Sequence, residues 1–379
     1  MKYLFALLLT LSFSSCQKFL DKKSSTGITV PKTLADLQSL LDASQTMNRQ
    51  VTPSIGEASA DDYFVSATTY NSRDELLKDL YKWVPNPNDD YPNDWSYNYK
   101  PVFNANYCLE MIDKISQTGE NKSQWENIKG SALFFRAYYF LQLAWTYCLA
   151  YDENTEANDL GIALRLASDF NEPSSRASVL ETYKQIIADA KSSAMYLPDF
   201  ATHPFRPSKI AAYGLLARTY LSMRNYDSAA KYAEYCVDLK SDLMDYNNDP
   251  QINSAATGTT NPFSLFNKEI IFYSEASLTA GSLIGSTNGL IDTILYRSYA
   301  SNDKRKRLFF ANATGGFQRF RGNYTVNTRM FSGLATNEIL LISAEANARI
   351  GNLSKSMQRL NQLLTKRYDA TFIPLNESN

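Results

Sequence analysis

Apolar residues recur along this chain at helical spacing, broken by polar and proline-bearing stretches. Leu34, Leu37, Leu40 and Leu41 share one face behind Thr33, a side chain suited to cap a helix. Residues 48–75 are mixed and read as loop. Residues 81–99 hold Trp83, Tyr91, Trp95, Tyr97 and Tyr99 with three prolines, a composition that predicts an aromatic loop. A helix is predicted from about Tyr97 to Ile115. The strongest helical run is 125–150, where Arg136 is the only charge between Ser131 and Ala150. A helix apolar on all sides is either central or membrane-spanning. Arg136 and Gln142 lie well inside this run, and a mid-span arginine costs about 2.5 kcal/mol or more on insertion scales. A central helix is the better account, with Arg136 facing a carboxylate or carbonyl. Another helix is expected at 177–196, ended by a loop with Pro198, Pro204 and Pro207.

Two helix pairs follow. In the first, Ala212, Leu215, Leu216, Thr219, Tyr220 and Met223 share a face; past Arg224-Asn225, so do Tyr226, Ala229, Ala233, Cys236 and Val237. In the second, Ile339, Ile342, Ser343, Ala346 and Ile350 precede Gly351-Asn352, and Leu353, Met357, Leu360 and Leu364 follow it. The pairs align at a constant shift of 127 residues, which sets Asn225 against Asn352 and Ala217 against Ala344. The first pair fits the tetratricopeptide spacing, and such units bury their faces only by stacking. Residues 241–330 are rich in Asn, Ser, Thr and Gly, with short strand-like runs such as Ile270–Tyr273. The expected fold is mainly α: tetratricopeptide-like helix pairs forming a scaffold, with long loops and a few short strands inserted. Loops on a rigid scaffold are where binding tends to lie.

The N-terminus changes the picture. Lys2, the apolar run Tyr3 to Phe13 and the pair Ser14-Ser15 describe a signal peptide over residues 1–15. Cys16 stands where a lipoprotein signal places its acylated cysteine, and residues 16–30 read as a tether. Three cysteines remain, Cys108, Cys148 and Cys236, an odd number at wide spacing that suits buried thiols better than a disulfide framework. A net charge of −1, from 38 basic and 39 acidic residues, argues against nucleic acid as a partner. The 25 tyrosines offer flat apolar faces with polar tips, suited to wet partners.

Reactive chemistry is poorly represented. The single histidine, His203, excludes a His-rich metal site and reads as an ordinary loop residue. No Gly-x-Ser-x-Gly elbow and no phosphate-cradling glycine fingerprint occurs. Asp61-Asp62 and Asp89-Asp90 are carboxylate pairs of the kind that hydrolyse glycosides, by composition only. Asp89, Asp90 and Asp94 could hold calcium, though a solvated loop is the simpler expectation, and no cofactor is assigned. The aromatic loops are the sharper signal. Sugar rings present C–H patches that stack on flat aromatic faces, and their hydroxyls bond neighbouring polar side chains. Loop 81–99 offers Trp83 and Tyr91 with Asn86 and Asp89 beside them; loop 317–324 offers Phe320, Arg321 and Tyr324. Trp95 and Tyr99, leading into a helix, read as core.

Four stretches together resemble the SusD/RagB family of outer-membrane nutrient-uptake lipoproteins. Cys16-Gln17-Lys18-Phe19-Leu20-Asp21 looks like its lipidated cysteine and Phe-Leu-Asp element. Residues 130–138 are similar to its central helix, 207–229 to its tetratricopeptide pair, and Glu338 to Asn361 to its later pair. The resemblance implies an N-terminal helical region over 31–240, and over 241–379 a loop insertion plus helix pair. The family's usual final segment, with its Arg-Trp-Asp-Leu-like element, is missing after Lys366-Arg367-Tyr368, as in a truncated member. The resemblance further implies a lipid-anchored protein facing the cell exterior. Such a protein catalyses nothing, binds a nutrient such as an oligosaccharide, and hands it to a SusC-like TonB-dependent transporter. A peptide or other non-sugar nutrient, or a pure protein-interaction role, are the alternatives.

Overall fold

The computed structural model describes residues 30–85, 87, 90–285 and 288–377. The leader, Cys16, the tether up to residue 29, and Asn86, Asn88 and Asp89 lie outside the described residues. The chain opens on α1 (Leu34–Leu41), whose N-cap Thr33 and Asp36 form a reciprocal capping box. Short elements follow: α2 (Ser44–Met47), α3 (Ile55–Ala58), β1 (Tyr63–Phe64), α4 (Ala67–Asn71) and α5 (Glu75–Tyr81). The stretch 48–75 is therefore more structured than its mixed composition suggests. Side-chain caps from Ser66 and Asp74 start two of these helices.

The long helices come next: α6 (Asp94–Ile112), α7 (Lys122–Tyr147), α8 (Val179–Tyr196), α9 (Lys209–Ser222) and α10 (Tyr226–Leu239). Between α7 and α8 a small hairpin joins β2 (Leu160–Ala163) to β3 (Arg176–Ser178). Helix α6 begins three residues before the expected Tyr97, because Asn93 and Ser96 cap each other around its first turn. Each long helix packs on the next in sequence, and the row continues through α14 (Thr336–Arg349) and α15 (Leu353–Leu364).

Helix α7 is the centre, with Phe134, Phe135, Tyr138, Tyr139 and Phe140 all buried. Its Arg136 meets the expected carboxylate: Nε and Nη2 donate to Asp189 at 2.7 and 2.8 Å, and Nη1 donates to Asn106 at 3.0 Å. Removing one partner of such a buried pair costs about 3–5 kcal/mol. No helix among the described residues is long and apolar enough to cross a membrane.

The repeat is visible in backbone detail. Asn225 and Asn352 both cap their helices, accepting from Ser228 and Lys355. Each follows a residue at positive φ: Arg224 at 58° and Gly351 at 82°. Glycine adopts that conformation freely, whereas arginine does so at a cost. The two pairs pack directly on one another through α10 and α14. Cys108 and Cys236 are buried as expected, and burial pushes the Cys108 thiol up to about 12. Cys148 is only half-buried, since it lies just past the end of α7.

The insertion holds β4 (Ile270–Phe272), α11 (Leu278–Ile284), β5 (Leu290–Ile291), α12 (Thr293–Ser298), α13 (Arg305–Phe309), β6 (Phe310–Asn312), β7 (Gln318–Phe320) and β8 (Leu334–Ala335). It does not stand apart. Strand β5 pairs with β1, and α11 packs on α3 and α5. The early loops and the insertion thus form one surface.

Candidate binding surface

Three concavities surround the loop between α5 and α6, and they differ in chemistry. The first is lined by Trp83, Val84 and Pro87 of the loop, by Ile55, Glu57 and Ser59 near α3, and by Gln142, Trp145 and Thr146 of α7. Its volume is about 490 Å³. Trp83 is 65% exposed, yet it is not loose: its Nε1 donates to the Ser59 carbonyl at 2.7 Å. The tie leaves the flat faces of the indole for other contacts. Trp83 also sits at φ 58°, a conformation unusual for a bulky residue that costs about 1–3 kcal/mol. Such strain clusters where a fold holds a side chain for use.

Trp145 supplies the second indole. It is 43% exposed near the C-terminal end of α7. The Arg218 guanidinium stands 6.0 Å from its ring centre. The sequence hid this residue, because 125–150 reads as buried throughout. The available signal was Gln142 and Thr146, polar positions that mark where the apolar helix emerges. The Glu57 carboxyl holds its proton to higher pH than an ordinary glutamate, from desolvation first and the nearby Asp62 charge second.

The second concavity is larger and more apolar, at about 1020 Å³. Tyr91, 80% exposed, lines it with Trp95, Tyr99, Phe103 and Phe170. Tyr91 and Trp83 therefore serve different clefts. Trp95 and Tyr99 belong to the packed side, as expected: the Tyr99 hydroxyl donates to Ala163, and Trp95 meets Tyr147 edge-on at 5.0 Å. The third concavity, about 800 Å³, is polar and includes Arg49, Asp74, Glu75, Asp79, Asp90 and Lys100.

Asp94 is not on the solvated loop. It is 2% exposed, and its Oδ2 accepts from the backbone of Ser54 and Ile55 at 2.7 and 3.2 Å. Those bonds tie Asp94 to the start of α3. Among the described residues no group of three or more His, Cys, Asp or Glu side chains gathers as metal ligands.

The second predicted loop is placed differently. Tyr324 is buried and donates to Glu269, which also takes a two-bond contact from buried Arg367 at 2.7 and 2.8 Å. Arg321, 8% exposed, donates to the carbonyls of Ala256, Gly258 and Arg307. Phe320 packs against Phe309 and Phe310. Only Phe317, set edge-on against Phe64 at 5.2 Å, is exposed at the rim. Arg321 and Tyr324, expected as ligand contacts, thus direct hydrogen bonds into the fold, and Phe320, half-buried, lays its ring among other aromatics. His203 is an ordinary loop residue, its ring 4.8 Å from both Phe205 and Phe266. Desolvation, then the charges of Arg206 and Arg49, lower its pKa.

Known proteins share this architecture. A SusD superfamily protein from Bacteroides thetaiotaomicron superposes with a TM-score of 0.72 at 18% identity, over 91% of this chain and 82% of that one. Another from Bacteroides fragilis gives 0.70 at 19%, over 93% and 84%. Surface glycan-binding protein A from Bacteroides uniformis gives 0.65 at 15%, over 91% and 83%. At such identities these likenesses speak to the fold. Among curated proteins no relative matches. The family model described as "Starch-binding associating with outer membrane" matches residues 18–221, more than half of the sequence. The chain belongs to the SusD-like family, whose members are carbohydrate-binding, non-catalytic proteins associated with the outer membrane.

Proposed function

We propose that the Trp83–Trp145 cleft binds an oligosaccharide. One observation carries this reading: two exposed indoles, from segments about sixty residues apart, line one cleft, and the Trp83 ring nitrogen is held by the Ser59 carbonyl. A pre-held ring such as that of Trp83 binds without first losing rotamer freedom, so more of the stacking energy appears as affinity. Gln142, Thr146 and Glu57 supply polar atoms for sugar hydroxyls. The cleft's walls stand on α7, on α3 and on α5, whose first turn Asp74 caps.

In this reading the chain is tethered by lipid on Cys16, faces the cell exterior and passes its ligand to a SusC-like TonB-dependent transporter. Family membership supports that setting. The transporter is tested by copurification from membranes, and the anchor by loss of membrane fractionation in Cys16→Ala. The larger apolar cleft at Tyr91 favours a second reading, in which a peptide or other non-sugar nutrient is the cargo. Isothermal titration against malto-, cello- and manno-oligosaccharides and against mucin-derived peptides separates the two. Sugar binding that falls about tenfold or more in Trp83→Ala, a loss of about 1.4 kcal/mol, supports the first. Peptide binding with no sugar binding replaces it with the second.

A further inference from the structure

The cleft at Tyr91 differs from its two neighbours in charge. Two cations, Lys100 and Arg165, line it, and among the described residues no Asp or Glu does. The polar concavity beside it is lined by Asp74, Glu75, Asp79 and Asp90, and the Trp83 cleft by Glu57. Much of its wall is apolar, from Leu40, Tyr91, Val102, Phe103 and Phe170. We infer that this cleft is a second site, which takes a small amphipathic carboxylate of the fatty-acid kind. The inference does not depend on the glycan reading of the Trp83–Trp145 cleft, and it sets peptide aside as the occupant here.

A sugar or a peptide needs open polar side chains, and here most of them are engaged by the protein. Asn106 Nδ2 donates to the carbonyls of Arg165 and Ala167 at 2.7 and 3.2 Å, and its Oδ1 accepts from Arg136 at 3.0 Å. Asn93 and Ser96 cap each other at the start of α6. Ser168 donates to Glu110 from its backbone at 2.6 Å and from its hydroxyl at 2.5 Å. Asn104 Nδ2 reaches the Met47 sulfur at 3.6 Å. What these bonds leave over is chiefly apolar surface and the two positive charges.

The cations have distinct parts. Arg165 Nη1 donates to the Glu172 carbonyl at 2.5 Å and to Ser174 Oγ at 3.0 Å, and Nη2 donates to the Asp169 carbonyl. These bonds close the 165–174 loop on itself and present Phe170, which is 82% exposed. The guanidinium meets neutral carbonyls there, so its charge is not cancelled. Lys100 is exposed, its Nζ 4.8 Å from the centre of the Tyr97 ring, and among the described residues no carboxylate pairs with it. With Thr46 and Asn93 it also lines the polar concavity, so it marks where the two hollows adjoin. A carboxylate beside Lys100 stays partly hydrated, which avoids the cost of burying a lone charge. Its alkyl chain then lies along Phe103 and Phe170, where each methylene taken from water adds to affinity.

The experiment is calorimetry on the full chain with hexanoate, octanoate and decanoate, beside decanol, oligogalacturonate and a mucin-derived peptide pool. Decanoate should bind saturably, and affinity should climb with chain length by up to about fourfold per methylene. Lys100→Gln should weaken decanoate about fivefold, as for one partly solvated ion pair, and leave decanol unchanged. Phe170→Ala should weaken decanoate and decanol alike. Both side chains are exposed, so neither variant endangers the fold. No decanoate binding, no dependence on chain length, or a decanoate affinity untouched in Lys100→Gln overturns the inference. So does loss of decanoate binding in Trp83→Ala, which would place the ligand in the other cleft. Peptide or oligogalacturonate binding that falls in Phe170→Ala, without decanoate binding, also overturns it and assigns the cleft to that ligand. Neutral oligosaccharide binding at Trp83 is a separate result, which Phe170→Ala should leave unchanged.

Discussion

Loops 82–93 and 317–324 look alike as sequence: each sets aromatic residues among Asn, Arg or Asp side chains. The fold treats them in opposite ways. In the later loop, Tyr324 and Arg321 direct their polar atoms inward, to Glu269 and to three backbone carbonyls. In the earlier one, Trp83 makes a single anchoring bond and keeps 65% of its surface exposed. The partners explain the difference. Glu269 and Arg367 lie far from Tyr324 in sequence, and only the folded insertion and tail bring them together. An aromatic-polar pattern thus announces amphipathic side chains, while remote neighbours decide whether they face ligand or core.

The contrast can be broken most sharply at Glu269. Its replacement by Ala leaves Arg367 buried without its carboxylate, and should lower stability by about 3–5 kcal/mol in urea unfolding. A loss under 1 kcal/mol, on the scale of an ordinary exposed site, would mean the later loop is not internal after all. Trp83→Ala should do the reverse. It should cost about tenfold or more in oligosaccharide affinity, yet change stability by less than about 1 kcal/mol, since the ring is mostly exposed.

Two smaller effects sharpen the comparison by testing the scaffold beneath both loops. Asn225→Ala and Asn352→Ala each remove an equivalent helix cap and should each cost about 1 kcal/mol. Unequal losses would mean the two pairs are less alike in energy than in geometry. The smallest effect concerns pH. Desolvation raises the Glu234 carboxyl, but bonds from Arg359 and Ser343 outweigh it and leave the pKa lowered. A lowered carboxylate adds stability that is present above its unfolded value, about 4.3, and lost as pH falls below it. Wild-type midpoints should therefore drop on acidification, and Glu234→Gln should flatten part of that drop.

Much of the scaffold was legible because its signals are local. Thr33 caps α1; the break at Arg224-Asn225 separates α9 from α10; the helical period of 209–239 returns at 336–364; and Arg136 in an apolar run demanded a carboxylate or carbonyl and found Asp189. The start of α6 was misplaced because Pro92 and the aromatics masked the Asn93–Ser96 capping box. Half of the candidate site was legible too: Trp83 stands in a proline-rich stretch where no regular element hides it. Trp145 was not, because a helix central along most of its length emerges only in its last turns. The inward bonds of Arg321 and Tyr324 were not legible either, since nothing near them in sequence discloses Glu269 or the carbonyls of Ala256 and Gly258.

The central claim is that two exposed indoles, Trp83 and Trp145, recognise ligand through their faces. The chain has four tryptophans; Trp83 and Trp145 are exposed, and Trp95 and Trp125 are partly buried against the core. Titrating an oligosaccharide that binds while following tryptophan fluorescence tests the claim directly. Saturable change in the wild type, lost together with affinity when Trp83 and Trp145 are both replaced by Ala in a protein that still melts cooperatively, is the predicted result. The same spectral change and the same affinity in that double variant would contradict it.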